Sequence, residues 1–106
     1  NVKCGQVTTA VRNTRRDGFS VHEGDVIGLF GKKIVARGKN PSEVVKHALK
    51  KMIDEESSVV SLYFGSDVTE DDANKLAAEI QELYPDVEVM AFYGGQPYYY
   101  YVFSVE

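Results

Sequence analysis

The stretch Val59-Val60-Ser61-Leu62-Tyr63-Phe64-Gly65-Ser66-Asp67-Val68-Thr69 decides the fold. Its first six residues form a nearly continuous apolar run, which suits a strand buried on both faces. Gly65-Ser66-Asp67 breaks the run. Thr69 then caps a helix, with Asp72 in the capping-box position. Ala73, Leu76, Ala77, Ile80, Leu83 and Tyr84 recur at helical spacing as one apolar stripe. Pro85 stops the helix, and Val87–Tyr93 reads as the next strand. Strand, helix and strand of these lengths make a parallel βαβ unit, expected to be right-handed.

Beyond this unit lies Gly94-Gly95-Gln96-Pro97, and then the aromatic run Tyr98–Glu106. Two glycines admit backbone conformations that other residues resist, and proline suits a turn or the start of an edge strand. The segment predicts a hairpin that adds an antiparallel terminal strand, with φ > 0 at Gly94 or Gly95. Alternation along that strand separates Tyr99, Tyr101, Phe103 and Val105 from Tyr98, Tyr100, Val102 and Ser104. The first set is the more apolar and is placed under the helices. Tyr98 and Tyr100 then fall on the open face, with Met90 and Phe92.

Ahead of the unit, Asn40 can cap a helix that has Pro41 at its first position and Glu43 completing a capping box. Val44, Val45, Ala48, Leu49, Met52 and Ile53 give its apolar stripe, and it ends near Asp54. Before it the chain is β. Gln6–Arg12 is rich in β-branched residues, and Phe19–Val21 reads as a short extended piece. Val26–Phe30 and Ile34–Ala36 flank Gly31-Lys32-Lys33 as a hairpin. Asp17-Gly18 and Glu23-Gly24-Asp25 are turns. The order is βββαβαββ, an α/β two-layer sandwich with a mixed sheet and two helices. With both helices on one side, the other face of the sheet is exposed or meets a partner.

A chain of 106 residues is one domain. It has no apolar run near the roughly 20 residues of a membrane span and no leader signal. Cys4, its one cysteine, excludes an internal disulfide and reads as structural. A cytoplasmic protein is the plain reading, and a start at Asn1 suggests a piece of something longer. Charge is lopsided: residues 1–51 hold 11 of the 12 Lys and Arg against 4 acids, and residues 52–106 hold Lys75 against 12 acids. The two halves either face each other in the fold or form an interaction surface.

Catalytic signals are weak. Gly65–Thr69 follows a strand and precedes a helix, where α/β proteins often hold phosphates. Here Asp67, Glu70, Asp71 and Asp72 already satisfy the helix dipole and repel an anion. The same acids lack the spacing of a calcium loop, so no metal site is expected. His22 and His47 read as surface residues. Arg12, Arg15 and Arg16 with the tyrosines could bind single-stranded nucleic acid, but those tyrosines lie in the acidic half, so nucleic acid is not the favoured partner. A ligand pocket beside Gly94–Pro97, with Gln96 among aromatics, is a second reading; Gln96 satisfying the backbone of its own turn is the simpler one.

Four pieces together resemble one family: Gly5–Arg12, Glu23–Leu29, Ser61–Gly65, and Gly94-Gly95-Gln96-Pro97-Tyr98-Tyr99-Tyr100-Tyr101 through Ser104-Val105-Glu106. They are similar to the C-terminal end of the bacterial DhaL-like proteins, the ATP-binding subunits of fatty acid kinase, also known as dihydroxyacetone-kinase-like proteins. The resemblance implies that kinase chemistry, with ATP and magnesium, belongs to an N-terminal helical domain outside this chain. It implies that this region is a non-catalytic module, without a cofactor or metal of its own, docking a DegV-like fatty-acid-binding partner in phospholipid synthesis. Homo-oligomer formation stays open. Gly94, Gly95, Gln96, Pro97 and Tyr98 carry the matching motif; with Tyr100, placed on the open face by alternation, they are the expected partner-binding residues.

Overall fold

The computed structural model describes residues 2–106. Five strands come first: β1 (Lys3–Thr9), β2 (Thr14–Arg16), β3 (Phe19–Val21), β4 (Val26–Phe30) and β5 (Lys33–Gly38). They are followed by α1 (Pro41–Met52), β6 (Val59–Phe64), α2 (Glu70–Leu83), β7 (Glu88–Tyr93) and β8 (Tyr99–Val105). The α/β class, the mixed sheet and the two helices are those that the sequence implies. Short strands β2 and β3 extend the expected order βββαβαββ.

Caps set the helices. The Asn40 side chain accepts the N–H groups of Ser42 and Glu43, and Pro41 opens α1. Glu43 does not complete the expected capping box; its carboxylate takes Lys46 at 2.8 Å instead. The Thr69 hydroxyl accepts the Asp72 N–H at 3.1 Å and starts α2. Val44, Val45, Ala48, Leu49 and Met52 of α1 and Ala73, Leu76 and Ile80 of α2 are buried in one core with Val7, Val60, Leu62, Phe64, Tyr101, Phe103 and Val105. Both helices therefore lie on the same face of the sheet, bridged by Lys46 and Glu79 at 2.9 Å. Glycine permits the close approach: a Cβ on Gly28 would stand 3.1 Å from the Val44 side chain. Leu83, expected in the α2 stripe, is exposed at the end of the helix.

The sheet order is β5-β4-β1-β8-β6-β7. β6 and β7 are parallel, and the other neighbours antiparallel. This corrects the expected closing hairpin. β8 does not pair with β7; it inserts between β1 and β6, so the chain crosses the end of β6 to reach its place. The gain is a central strand with partners on both sides, burying Tyr101, Phe103 and Val105 to about 1% exposure.

Three further expectations are revised. β1 covers Lys3–Thr9 rather than Gln6–Arg12. The chain leaves the sheet at Ala10, held by reciprocal backbone bonds with Gly24 and Asp25, and Val11 is exposed. β6 is buried on one face only: Val60, Leu62 and Phe64 point to the helices, while Tyr63 is 40% exposed on the other side. Finally, the far face of the sheet is not uniformly open. The β2–β3 hairpin, turned by Asp17 and Gly18 at positive φ, builds a small second core in which Val21 meets Ala10 and Ile34. The face is uncovered toward β6 and β7.

Candidate functional site

Gly94–Tyr98 is a crossover lying on the end of β6, and hydrogen bonds hold it there. The Gly94 and Gly95 N–H groups donate to the Phe64 carbonyl at 2.9 and 3.1 Å, and the Ser66 N–H donates to the Gln96 carbonyl at 3.1 Å. Gln96 Nε2 donates to the Tyr63 carbonyl at 3.0 Å. Gln96 thus satisfies a backbone group of β6, not one of its own turn. Gly95 has the positive φ expected of the pair, +69°, and the Tyr93 ring lies over it. A Cβ on Gly65 would collide with the Tyr99 carbonyl and come within 2.7 Å of the Gln96 carbonyl, so only glycine lets the crossover sit this low.

The tyrosines are not sorted by simple alternation. Val7 pairs with Tyr101 but Thr8 pairs with Tyr99, so Tyr100 is an extra residue in β8. Such a bulge disturbs the regular facing of side chains. Tyr100, expected on the open face, packs against the main core, with its hydroxyl 3.1 Å from that of Thr9. Tyr99, expected to be buried, is 37% exposed. Tyr98 precedes the strand at φ +71°, a strained conformation for a residue with a Cβ. Its carbonyl accepts the Thr8 hydroxyl at 2.6 Å, and its ring is 85% exposed. Burial holds the Tyr101 phenol above its ordinary pKa, opposed by a hydrogen bond with Ser42.

Around the crossover is a continuous set of aromatics. Tyr63 and Phe92 are register partners on the open face and stack with ring centroids 5.5 Å apart. Tyr93 extends from Phe64 at 5.4 Å and is 68% exposed. Sequence reasoning placed Phe92 here but missed Tyr63, because β6 read as a strand covered on both sides. The signal was available: Ser61 and Tyr63, both bearing hydroxyls, alternate with Val60, Leu62 and Phe64.

The loop Gly65–Thr69 is occupied by its own structure. The Gly65 N–H donates to the Tyr100 carbonyl, Ser66 to Gln96 and Val68 to Gly65. Beside it the starts of α1 and α2 converge over Tyr101 around a cleft of about 360 Å³, rimmed by Asp67, Asp72, Lys46 and Glu79. The pairing of Lys46 with Glu43 and Glu79 raises the Lys46 pKa, and the Lys46 hydrogen bond lowers that of Glu43. At the opposite end of the molecule, Asp25 is buried. It accepts the His22 N–H at 2.9 Å and stands 3.7 Å from Arg37. The His22 hydrogen bond, then Arg37, hold its carboxyl below the usual range. His47 is exposed, and Cys4 is exposed near the start of β1 rather than in the core. Two ion pairs join the basic and acidic halves of the chain, Lys3 with Asp54 and Lys46 with Glu79. No helix among the described residues is long and apolar enough to cross a membrane.

The chain matches, over residues 1–106, the FakA-like family of fatty acid kinase C-terminal domains. It is 42% identical over 106 residues to an uncharacterized protein of Staphylococcus haemolyticus, and 36% identical over 105 residues to protein YloV of Bacillus subtilis. These alignments cover 100% and 99% of the chain but 19% of each relative. A match along its full length to a family defined on one end of a longer protein identifies the chain: it belongs to the FakA-like C-terminal domains of the fatty acid kinases.

Proposed function

We propose that this domain is the docking module of a fatty-acid-kinase-type subunit, and that it binds a DegV-like protein carrying the fatty acid. The remaining domains of the subunit bind ATP and magnesium and transfer the phosphoryl group, forming an acyl phosphate for phospholipid synthesis in the cytoplasm. This domain contributes contacts and no chemistry of its own.

One observation carries the reading: Tyr63, Phe92, Tyr93 and Tyr98 stand exposed together at one end of the uncovered sheet face. Aromatic rings combine a large apolar area with few rotatable bonds, and tyrosine adds a polar tip, so they recur as anchors of protein interfaces. Tyr98 supports it further. Its backbone holds a conformation that costs about 1–3 kcal/mol, and strain of this kind gathers at ligand-holding sites. Gly94, Gly95, Gln96 and Pro97 set the height and direction of Tyr93 and Tyr98 from below. Tyr100 acts from beneath, through the core and Thr9.

Tyr98→Gly tests the assignment. Glycine accepts positive φ without penalty, so the variant should unfold at the same temperature as the parent or higher. Its affinity for the purified DegV-like carrier, measured by calorimetry, should fall by about 1 kcal/mol or more. A variant that binds as the parent does would remove Tyr98 from the interface.

A further inference from the structure

We propose that the free edge of β7 receives an extended, basic segment of the protein partner, which adds to the sheet as a new edge strand. This rests on the docking reading above and names the surface and the mode of contact.

Backbone direction defines the edge. The Glu88 N–H donates to the Ser58 carbonyl at 2.8 Å and the Gly94 N–H to the Phe64 carbonyl at 2.9 Å. Backbone groups of alternate residues point to opposite sides of a strand, so Met90 and Phe92 also turn toward β6. Val89, Ala91 and Tyr93 turn theirs outward. At Val89 the N–H is taken by the Gln81 side chain, Oε1 at 3.3 Å, and the amide of Gln81 donates to the Val87 carbonyl at 2.6 Å. Past that point the outward groups of Ala91 and Tyr93 have no hydrogen-bond partner among the described residues.

The opposite edge of the same sheet is handled differently. On β5 the Ile34 N–H donates to Asp17 at 2.8 Å, and the Val35 carbonyl accepts Lys51 at 2.6 Å. Arg16 covers the Lys32 carbonyl at 2.8 Å. Unprotected edges recruit other strands, and proteins block them with charges, prolines or bulges. Val89-Met90-Ala91-Phe92-Tyr93 carries none of these. One edge is closed by three side chains and a hairpin; the other is an apolar strand left open.

Charge selects the occupant. Gln81 marks the flank of α2 that borders the β7 edge; helical spacing places Ala78, Asn74 and Asp71 along the same flank. Glu82, Asp86 and Glu88 lie near the start of the edge. Lys75, the one base of residues 52–106, lines the cleft toward α1 instead. A second copy pairing through its own β7 would bring like charges together, whereas a strand bearing lysine or arginine meets complementary charge. Addition of a strand to an open edge draws affinity from main-chain hydrogen bonds and specificity from flanking side chains.

The test uses the purified carrier with the full-length subunit. Amide hydrogen exchange at Ala91 and Tyr93 should slow by about tenfold or more on saturation with carrier, since outward N–H groups gain acceptors. Ala91→Pro deletes one outward N–H and no bond to β6, a position where proline is tolerated. It should weaken carrier binding by about tenfold or more while melting near the parent, and binding should weaken as salt is raised. If Ala91→Pro unfolds, exchange in the parent decides alone. Carrier binding with neither protection nor a Pro effect overturns the edge proposal and leaves docking intact. No carrier binding at all overturns both. Protection that rises with protein concentration in the absence of carrier shows pairing between copies, and overturns the choice of occupant.

Discussion

The insertion of β8 depends on how Phe103 meets Gly5, and a double-mutant cycle reads that contact directly. Gly5 and Phe103 are register partners in β1 and β8. Phe103 is about 1% exposed, and its ring lies where a Cβ on Gly5 would be. Removing a buried phenylalanine side chain costs about 3–5 kcal/mol, out of a total near 5–15 kcal/mol for a small domain. At roughly 4–8 °C per kcal/mol for a domain of this size, Phe103→Ala should lower the melting temperature by about 15–30 °C. Gly5→Ala alone forces the buried ring off its position and should cost about 1–3 kcal/mol by overpacking. With Phe103 already alanine the obstruction is gone. Gly5 does not have positive φ, so the added methyl should then stabilise by about 0.4–1 kcal/mol, through the unfolded chain. The sign of Gly5→Ala therefore reverses between the two backgrounds. Urea melts of the four proteins supply the cycle. Equal effects of Gly5→Ala in both, within the roughly 0.3–0.5 kcal/mol of independent sites, would refute the contact and the packing of β8 built on it.

Gly65→Ala should destabilise more than Gly95→Ala. The first pushes a methyl into the backbone carbonyls of Tyr99 and Gln96, and the second adds only strain at φ +69°; paired thermal melts check the order. Asp25 gives a pH dependence. Its pKa is lowered in the fold, so its contribution is complete above the unfolded carboxylate value of about 3.9 and is lost as pH falls through the lower folded value. Asp25→Asn should flatten the acid limb of a stability-against-pH curve, and an unchanged limb would remove Asp25 from that role. The isolated domain should show no saturable ATP binding by calorimetry, because the N–H groups of Gly65, Ser66 and Val68 already have acceptors in the protein.

What was legible in the sequence was local. Asn40, Pro41 and Thr69 mark helix starts through side chains that act within a few residues, and both helices begin where those signals stand. The positive φ of Gly95 was legible for the same reason. The place of β8 was not. A strand that crosses β6 to pair with β1 is chosen by contacts far apart in sequence, and Gly94–Pro97 looks the same whether it turns a hairpin or bridges a strand. The tyrosine faces failed because one bulged residue, Tyr100, breaks a period of two. Thr14-Arg15-Arg16 is too polar to announce a strand, yet Asp17-Gly18 carried the turn signal of the hairpin it belongs to. Of the expected partner-binding residues, Gly94, Gly95, Gln96, Pro97 and Tyr98 do lie together on the end of β6, and Tyr100 lies beneath them.

Removing residues 1–106 from the full-length subunit is the most direct test of a docking role. With ATP, magnesium and the loaded DegV-like carrier supplied, phosphoryl transfer to the bound fatty acid is followed alongside nucleotide binding. A docking module predicts that nucleotide binding persists while carrier-dependent transfer falls to background at low carrier concentration, with restoration when the domain is reattached. Transfer at the parental rate and with the parental dependence on carrier concentration, in a subunit lacking this domain, would contradict it.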